Sequence, residues 1–87
     1  MKRIVICTTP TCPRCEEVKD FLREKSLIWE EIDISTAEGL TSAAVDEGIY
    51  TRVAPVVKID NTIIYGLFAS GKFKSSIIEG LLSTTTP

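Results

Sequence analysis

Two cysteines separated by two residues form the part of this sequence with the most evident chemistry. The stretch Cys12-Pro13-Arg14-Cys15 follows a short apolar run and precedes a charged segment with helical spacing. Two thiols three positions apart at the start of a helix lie on one face of its first turn. They are then close enough to form a disulfide with each other or to share a metal ion, and the spacing leaves both open.

The segments around the two cysteines predict where each thiol lies. Residues 3–7 are mainly apolar and β-branched without alternation, which is typical of a strand buried on both faces. Pro13 suits the first helical position, where its missing N–H has no intrahelical partner to lose, so Cys12 is predicted at or next to the N-cap. Cys15, Val18 and Leu22 then share the face of this helix that turns inward.

A second strand and a second helix are predicted next. Residues 27–34 alternate between an apolar side that begins with Ile28 and a polar side, which suits an edge strand. Ser35 and Glu38 fit a capping box, and Gly48 is placed to end the helix that follows.

The last third of the sequence predicts a hairpin and a final helix. Two apolar stretches, 56–59 and 62–65, are separated by two residues, a spacing that indicates an antiparallel hairpin. Residues 66–71 are predicted to be a loop. Apolar residues then recur at helical spacing over 73–82.

Length and composition indicate the number of domains, the class of partner and the expected location of the protein. With 87 residues, 44% of them hydrophobic, the chain suits one domain over residues 1–82, followed by a flexible tail over 83–87. The net charge of -2 gives no reason to expect a nucleic-acid partner. The first apolar run is too short for a secretory signal, and no stretch approaches a membrane span, so a cytoplasmic protein is expected. A close cysteine pair in that compartment is catalytic or metal-binding more often than structural.

The order strand, helix, strand, helix, strand, strand, helix, with Cys-x-x-Cys after the first strand and Val53-Ala54-Pro55-Val56 before the third, resembles the glutaredoxins. Within that group the sequence is most similar to the glutaredoxin-like redoxins that supply electrons to ribonucleotide reductase. The resemblance implies an α/β protein with the thioredoxin fold. Its four-stranded mixed sheet would carry helices on both faces.

The resemblance also implies a thiol–disulfide oxidoreductase with a redox-active Cys12–Cys15 disulfide. At a helix N-terminus, unpaired N–H groups and the positive end of the helix dipole favour a thiolate at Cys12. Cys12 is therefore the predicted nucleophile, and Cys15 is predicted to resolve the mixed disulfide. Pro13 and Arg14 would contact the substrate. Arg14 would alternatively hold the thiolate or be an ordinary solvated charge.

In thioredoxin-fold proteins the proline that matches Pro55 is cis and lies against the active-site cysteines. Carried over, Ala54 would offer its backbone N–H and C=O to an extended substrate segment. The implied partners are protein disulfides and a source of electrons, either glutathione or a flavoprotein similar to thioredoxin reductase. No bound cofactor is expected, and the protein is predicted to be a monomer.

Three features that hold glutathione in many glutaredoxins differ here. The usual tyrosine between the cysteines is Arg14, and the basic residue expected a few positions upstream gives way to Thr8, Thr9 and Thr11. A single glycine, Gly66, with no acid after it, replaces a Gly-Gly pair followed by an acid. A protein disulfide as substrate and a flavoprotein as reductant fit these changes at least as well as glutathione.

Leu67 and Phe68 in the predicted loop have two interpretations. They would form an apolar docking patch or anchor the last helix to the core, and the anchor is the commoner role for such residues.

Two rival functions remain open. Cys7, Cys12 and Cys15 form Cys-x4-Cys-x2-Cys, which matches three ligands of a plant-type iron–sulfur site, although no histidine and no fourth cysteine completes the set. A zinc ion or cluster would then have to be bridged between two chains. A thioredoxin-fold interaction module with an idle redox centre is the other rival. Cys7, at the end of a buried strand, is predicted to be a small hydrophobe, with a redox-regulatory thiol as the alternative.

Overall fold

The computed structural model describes residues 3–83, and within that range the chain forms a four-stranded mixed sheet with helices on both faces, which confirms the predicted α/β architecture. In chain order the elements are β1 (Ile4–Thr8), α1 (Pro13–Glu24), β2 (Glu30–Asp33), α2 (Ala37–Glu47), β3 (Val56–Ile59), β4 (Thr62–Ile64), β5 (Phe68–Ala69), β6 (Lys72–Phe73) and α3 (Ser75–Ser83). Helix α3 thus extends to the first residue of the predicted tail, and residues 84–87 lie outside the described range. In the described part, no helix combines the length and the apolar character needed to cross a bilayer.

The strand order β2-β1-β3-β4 places β1 inside the sheet, as its uninterrupted apolar sequence predicts. Strand β1 runs parallel to β2 and antiparallel to β3, with Cys7 opposite Val56. The end of β1 and the start of β3 therefore meet at one edge of the sheet. This register brings the loop that carries the cysteines and the segment ending at Pro55 to the same side of the molecule.

The two faces of the sheet bury separate apolar clusters. On one face Ile4 and Ile6 pack against α1 and α3 through Val18, Leu22 and Ile78. The second cluster, beneath α2, consists of Cys7, Ile34, Ala43, Ile49 and Val56. Complete burial of a Val, Leu or Ile side chain contributes about 1.5–3 kcal/mol, so the first cluster fixes α1 on the sheet and with it the position of the cysteines.

The second strand is shorter than predicted, and Ile28 does not face the core. Strand pairing with β1 begins only at Glu30, and the Ile28 side chain is 77% exposed. The chain is still closing the end of α1 at Leu27, whose N–H donates to the Leu22 carbonyl. This delays the extended conformation by three residues, and Ile28 lies in the connection.

The predicted cap of α2 is displaced by one residue. Thr36, not Ser35, is the N-cap, and its hydroxyl accepts a hydrogen bond from the Gly39 N–H at 2.9 Å. Ser35 instead donates from its hydroxyl to the Asp33 carboxylate at 2.6 Å. The competing Asp33 acceptor thus draws Ser35 away from the helix. Gly48 ends α2 in the left-handed conformation, as predicted.

Part of the predicted loop over 66–71 forms, together with residues 72–73, a second, two-stranded sheet in which Phe68 pairs with Phe73. Ser70 and Gly71 form its turn, both with positive φ, which matches a hairpin turn of the primed type. Strand β4 consequently ends at Ile64, one residue earlier than predicted. Residue 73 belongs to β6, and α3 begins at Ser75.

A buried carboxylate ties α2 to Arg3, just before β1, and to β3, at the opposite edge of the sheet from the cysteines. Glu47 is 7% exposed and accepts hydrogen bonds from both terminal nitrogens of Arg3, at 2.8 and 2.7 Å. Lys58 donates to the same carboxylate at 3.2 Å and to the Glu47 backbone carbonyl at 2.9 Å. The hydrogen bonds from Arg3 are the main cause that lowers the pKa of Glu47 from 4.5 to about 2.

We predict that this carboxylate makes stability depend on acid pH. Because the folded-state pKa of Glu47 is lowered, its contribution is complete above about pH 4.5 and is lost as the pH falls toward about 2. Glu47→Gln should reduce the free energy of unfolding by about 2 kcal/mol near neutral pH, the magnitude of hydrogen bonds to charged groups. The difference between wild type and variant should shrink on acidification. Denaturant titrations across the pH range measure it, with exposed Glu24→Gln as the control. A difference independent of pH would contradict this account.

Candidate active site

The two cysteines of the motif are joined by a disulfide across the first turn of α1. Cys12 is the N-cap residue in an extended conformation, and Pro13 occupies the first helical position, as the sequence predicts. The Cα atoms of Cys12 and Cys15 are 5.2 Å apart, within the usual range for a disulfide. The predicted positions of Cys12 at the N-cap and of Pro13 at the first helical residue are therefore confirmed.

The two cysteine residues differ in their exposure to solvent. Cys12 is half-buried, and Pro13 and Arg14 beside it are exposed. Cys15 is 1% exposed and lies on the buried face of α1 with Val18 and Leu22. Cys12 is therefore the more accessible of the two cysteines.

A backbone hydrogen bond distinguishes Cys12 electrostatically. The N–H of Cys15 donates to the Cys12 sulfur at 3.1 Å, so the cysteine side chain caps its own helix. A donor fixed at this position favours negative charge on the Cys12 sulfur once the disulfide is reduced. Burial, by contrast, disfavours a charge on Cys15.

The segment that precedes β3 lies at the same edge of the sheet as the motif. The Ala54–Pro55 peptide bond is cis, as the resemblance implies. Pro55 is buried and Ala54 is half-buried. Upstream, the Thr51 hydroxyl donates to the Val53 carbonyl at 2.9 Å and accepts from the Val53 N–H at 3.0 Å, which fixes the path of the chain into this bond.

Two exposed apolar side chains on this segment were not predicted from the sequence. Tyr50 is 76% exposed and Val53 is 73% exposed. The Tyr65 hydroxyl, from the chain after β4, accepts a hydrogen bond from the Tyr50 N–H at 3.4 Å. Apolar residues in a loop carry no periodicity, so the sequence offers no signal that separates these exposed side chains from buried ones.

An aromatic stack that the sequence did not predict extends from the motif into the small hairpin. The Arg14 guanidinium lies 5.0 Å from the centroid of the Phe68 ring. The Phe68 ring stacks on Phe73 at 5.4 Å, and Phe73 meets Phe21 of α1 edge-on at 5.5 Å. Leu67 is 1% exposed within the core, so the anchoring interpretation is correct for Leu67, whereas Phe68 contacts both the core and Arg14.

The third cysteine lies apart from this chemistry. Cys7 is fully buried beneath α2, and burial raises the pKa of its thiol to about 11, with a smaller contribution from the charge of Glu47. It is therefore a neutral thiol at physiological pH, which fits the predicted role as a small hydrophobe. Over residues 3–83, no group of three His, Cys, Asp or Glu side chains is arranged to hold a metal ion.

Comparisons with known proteins agree on one family and one fold. The glutaredoxin family model matches residues 4–64. An uncharacterized glutaredoxin-like 8.6 kDa protein in the rubredoxin operon of Clostridium pasteurianum is 33% identical over 67 residues, which cover 72% of this chain and 83% of that protein. The N-acetyl-S-hydroxy-L-cysteine reductase of Bacillus subtilis is 40% identical over 57 residues, which cover 64% of this chain and 59% of that protein.

Solved structures extend the similarity to nearly the whole chain. A crystal structure of a mutant of the thioredoxin-like protein BC3987 superposes with a TM-score of 0.69 at 28% identity, covering 98% of this chain and 100% of that one. A second crystal structure of the thioredoxin-like protein BC3987 gives a TM-score of 0.65 at 28% identity, covering 91% of this chain and 99% of that one. The predicted thioredoxin fold is thus confirmed.

The different environments of the cysteines predict an order of alkylation. After reduction and removal of the reductant, iodoacetamide near neutral pH should modify Cys12 at least ~10-fold faster than Cys15 or Cys7, because only Cys12 combines access with a stabilised thiolate. Peptide mapping by mass spectrometry at increasing times measures the order. Protein unfolded in guanidinium chloride is the control, and there the three rates should converge. Faster modification of Cys15 or Cys7 in the folded protein would contradict the assignment.

Proposed function

The chain belongs to the glutaredoxin family, and we propose that it reduces protein disulfides through the Cys12–Cys15 dithiol, as a glutaredoxin-like electron donor of the kind that serves ribonucleotide reductase. The observation that supports this proposal most is the asymmetry of the pair. Cys12, at the helix N-cap, is half-buried, and Cys15 behind it is 1% exposed. A coarser statement, that the chain is a redox enzyme acting through thiols, follows from the family and this cysteine pair.

The proposed reaction moves two electrons in two exchange steps. The Cys12 thiolate attacks one sulfur of the target disulfide, and the other sulfur leaves as a thiolate that takes up a proton. Cys15 then loses its proton and attacks the Cys12 sulfur, which expels the second substrate sulfur as a thiolate. The target gains two electrons and two protons, and the protein is left with the Cys12–Cys15 disulfide.

We propose that substrate binding uses backbone as well as side chains. Ala54, next to cis Pro55, is the candidate to pair with an extended substrate segment by strand addition. The exposed side chains of Tyr50 and Val53 would add apolar contact around that segment. Pro13 and Arg14, both exposed beside Cys12, would contact the substrate close to its disulfide.

A second candidate function is the reduction of a small sulfenic acid, a molecule with an S–OH group. It is favoured by the 40% identity to a protein named N-acetyl-S-hydroxy-L-cysteine reductase, of which the match covers 59%. The same dithiol would serve, because a thiolate at Cys12 displaces water from a protonated S–OH group to give the same type of mixed disulfide. A chain that consumed such a compound but left protein disulfides intact would favour this candidate.

Replacing each cysteine by serine tests the proposed roles. With insulin as the disulfide substrate, Cys12→Ser should abolish turnover because the nucleophile is lost. Cys15→Ser should accumulate a mixed disulfide at Cys12, visible by mass spectrometry. Cys7→Ser, which changes a buried thiol outside the motif, is the control and should retain turnover. Turnover by Cys12→Ser would refute the assignment, and failure of the reduced wild-type protein to reduce insulin would favour an idle interaction module.

We also propose that a flavoprotein reductase, rather than glutathione, recycles the disulfide. After β4, many glutaredoxins that bind glutathione carry Gly-Gly followed by an acid. In this chain the segment instead contains Leu67, which is buried, and Phe68, which lies beneath Arg14. Turnover with NADPH and thioredoxin reductase should therefore exceed turnover with glutathione and its reductase by ~10-fold or more, a difference of about 1.4 kcal/mol. Each reductase is controlled with its own standard substrate. Activity with glutathione alone would overturn this part of the proposal.

A further inference from the structure

Arg14 is an exposed cation whose position is defined but whose charge is not neutralised. Arg3 and Arg23 are bonded to carboxylates, at 2.7 Å to Glu30 and 2.6 Å to Asp20. For Arg14 the structure gives no such partner within residues 3–83, and its guanidinium contacts the Phe68 ring.

The acidic residues of the first turns of α1 do not cancel this charge. Glu16 is bound to Lys19 at 2.7 Å. Glu17, one turn beyond Arg14, is exposed and makes no ion pair within the described range. The protein as a whole carries a net charge of -2, so any preference for anions has to come from a local cation. Arg14 is such a cation, and it lies two residues from Cys12 in the sequence.

The aromatic stack limits where the guanidinium can go. Phe68 lies between Arg14 and Phe73, and Phe73 is fixed against Phe21 on the buried side of α1. A guanidinium over an aromatic face keeps its N–H groups free at the edge of the plane to donate to a carboxylate. The hairpin of β5 and β6 thus presents a pre-positioned donor beside the motif.

We propose that Arg14, positioned by Phe68, binds a carboxylate next to the reacting sulfur and makes the protein prefer disulfides whose cysteines carry a negative charge close to the bond. The proposal rests on the thiol–disulfide exchange proposed above. Arg14 is a substrate-binding residue in this account, and Phe68 is a positioning residue that acts through it.

The test uses two disulfides that differ only in the proposed contact: the disulfide of N-acetyl-L-cysteine, with a carboxylate on each half, and that of N-acetyl-L-cysteine amide, with none. Reduced protein is oxidised stoichiometrically without a reductase. Cys12 attacks, one thiol leaves, Cys15 displaces the second, and both thiols keep the protons that the cysteines lose. Acid quenching and alkylation of the remaining thiols give a second-order rate constant for each disulfide.

The measured quantity is the ratio of the acid rate constant to the amide rate constant. Arg14→Gln should lower this ratio about fivefold, the upper range for an exposed ion pair, and the wild-type ratio should fall with added salt. Arg23→Gln is a matched control, because Arg23 is on the same helix and lies 5.6 Å from the Trp29 ring but is bound to Asp20. Its ratio should equal that of wild type.

Phe68 is tested by the same ratio. Phe68→Leu should lower it about twofold because the ring contact that positions Arg14 is lost, and Phe68→Tyr, which keeps the ring, should restore it. If Phe68 had only a structural role, its replacement would lower both rate constants alike and leave the ratio unchanged.

Three results would overturn the inference. In the first, Arg14→Gln lowers both rate constants equally, which would mean that Arg14 stabilises the Cys12 thiolate instead of binding the substrate carboxylate. In the second, Arg23→Gln lowers the ratio as much as Arg14→Gln does. In the third, reduced wild-type protein reacts with neither disulfide. If it also fails to reduce insulin, the proposed exchange is rejected as well; in every other case the exchange stands.

Discussion

The antiparallel pairing of β1 with β3 is the constraint on which the candidate site depends. Its register sets Cys7 opposite Val56, so the chain leaving β1 and the chain entering β3 lie side by side. The cysteine motif continues from the first, and the Ala54–Pro55 bond precedes the second. Residues more than forty positions apart in sequence are thereby placed together by buried strands, which are hard to displace once both faces are covered.

Helix α1 converts this placement into two sulfurs with different properties. Because Cys12 is the N-cap, its sulfur receives a backbone N–H, and because Cys15 is on the buried face, its sulfur is shielded. One helical turn thus provides one partly exposed and one shielded cysteine, which is the asymmetry that the proposed exchange requires. The small β5–β6 hairpin adds a third element by placing the Phe68 ring beneath Arg14.

Much of this arrangement could be predicted from the sequence, because its signals are local. Pro13 marks the start of α1, and the mainly apolar run over residues 3–7 predicts an internal strand. The errors arise where two local options compete. The spacing of Ser35 and Glu38 predicts Ser35 as the cap of α2, but the Ser35 hydroxyl donates its hydrogen bond to the nearby Asp33 carboxylate.

The tertiary contacts could not be predicted in this way. Strands of two residues, such as β5 and β6, are too short to show alternation, so the sequence pattern predicts only a loop before α3. The contact between Arg14 and Phe68 joins residues that no spacing rule relates. No spacing rule relates Glu47 to Arg3 and Lys58 either, although both donate hydrogen bonds to its carboxylate at the opposite edge of the sheet.

The central claim is that Cys12 attacks first and Cys15 second. Rapid mixing of the reduced wild-type protein with a protein disulfide, followed by acid quenching and peptide mapping, tests it most directly. The account predicts an early mixed disulfide that contains Cys12 alone and is replaced by the Cys12–Cys15 disulfide. An early adduct on Cys15 or Cys7, or a Cys12–Cys15 disulfide that never forms, would contradict it.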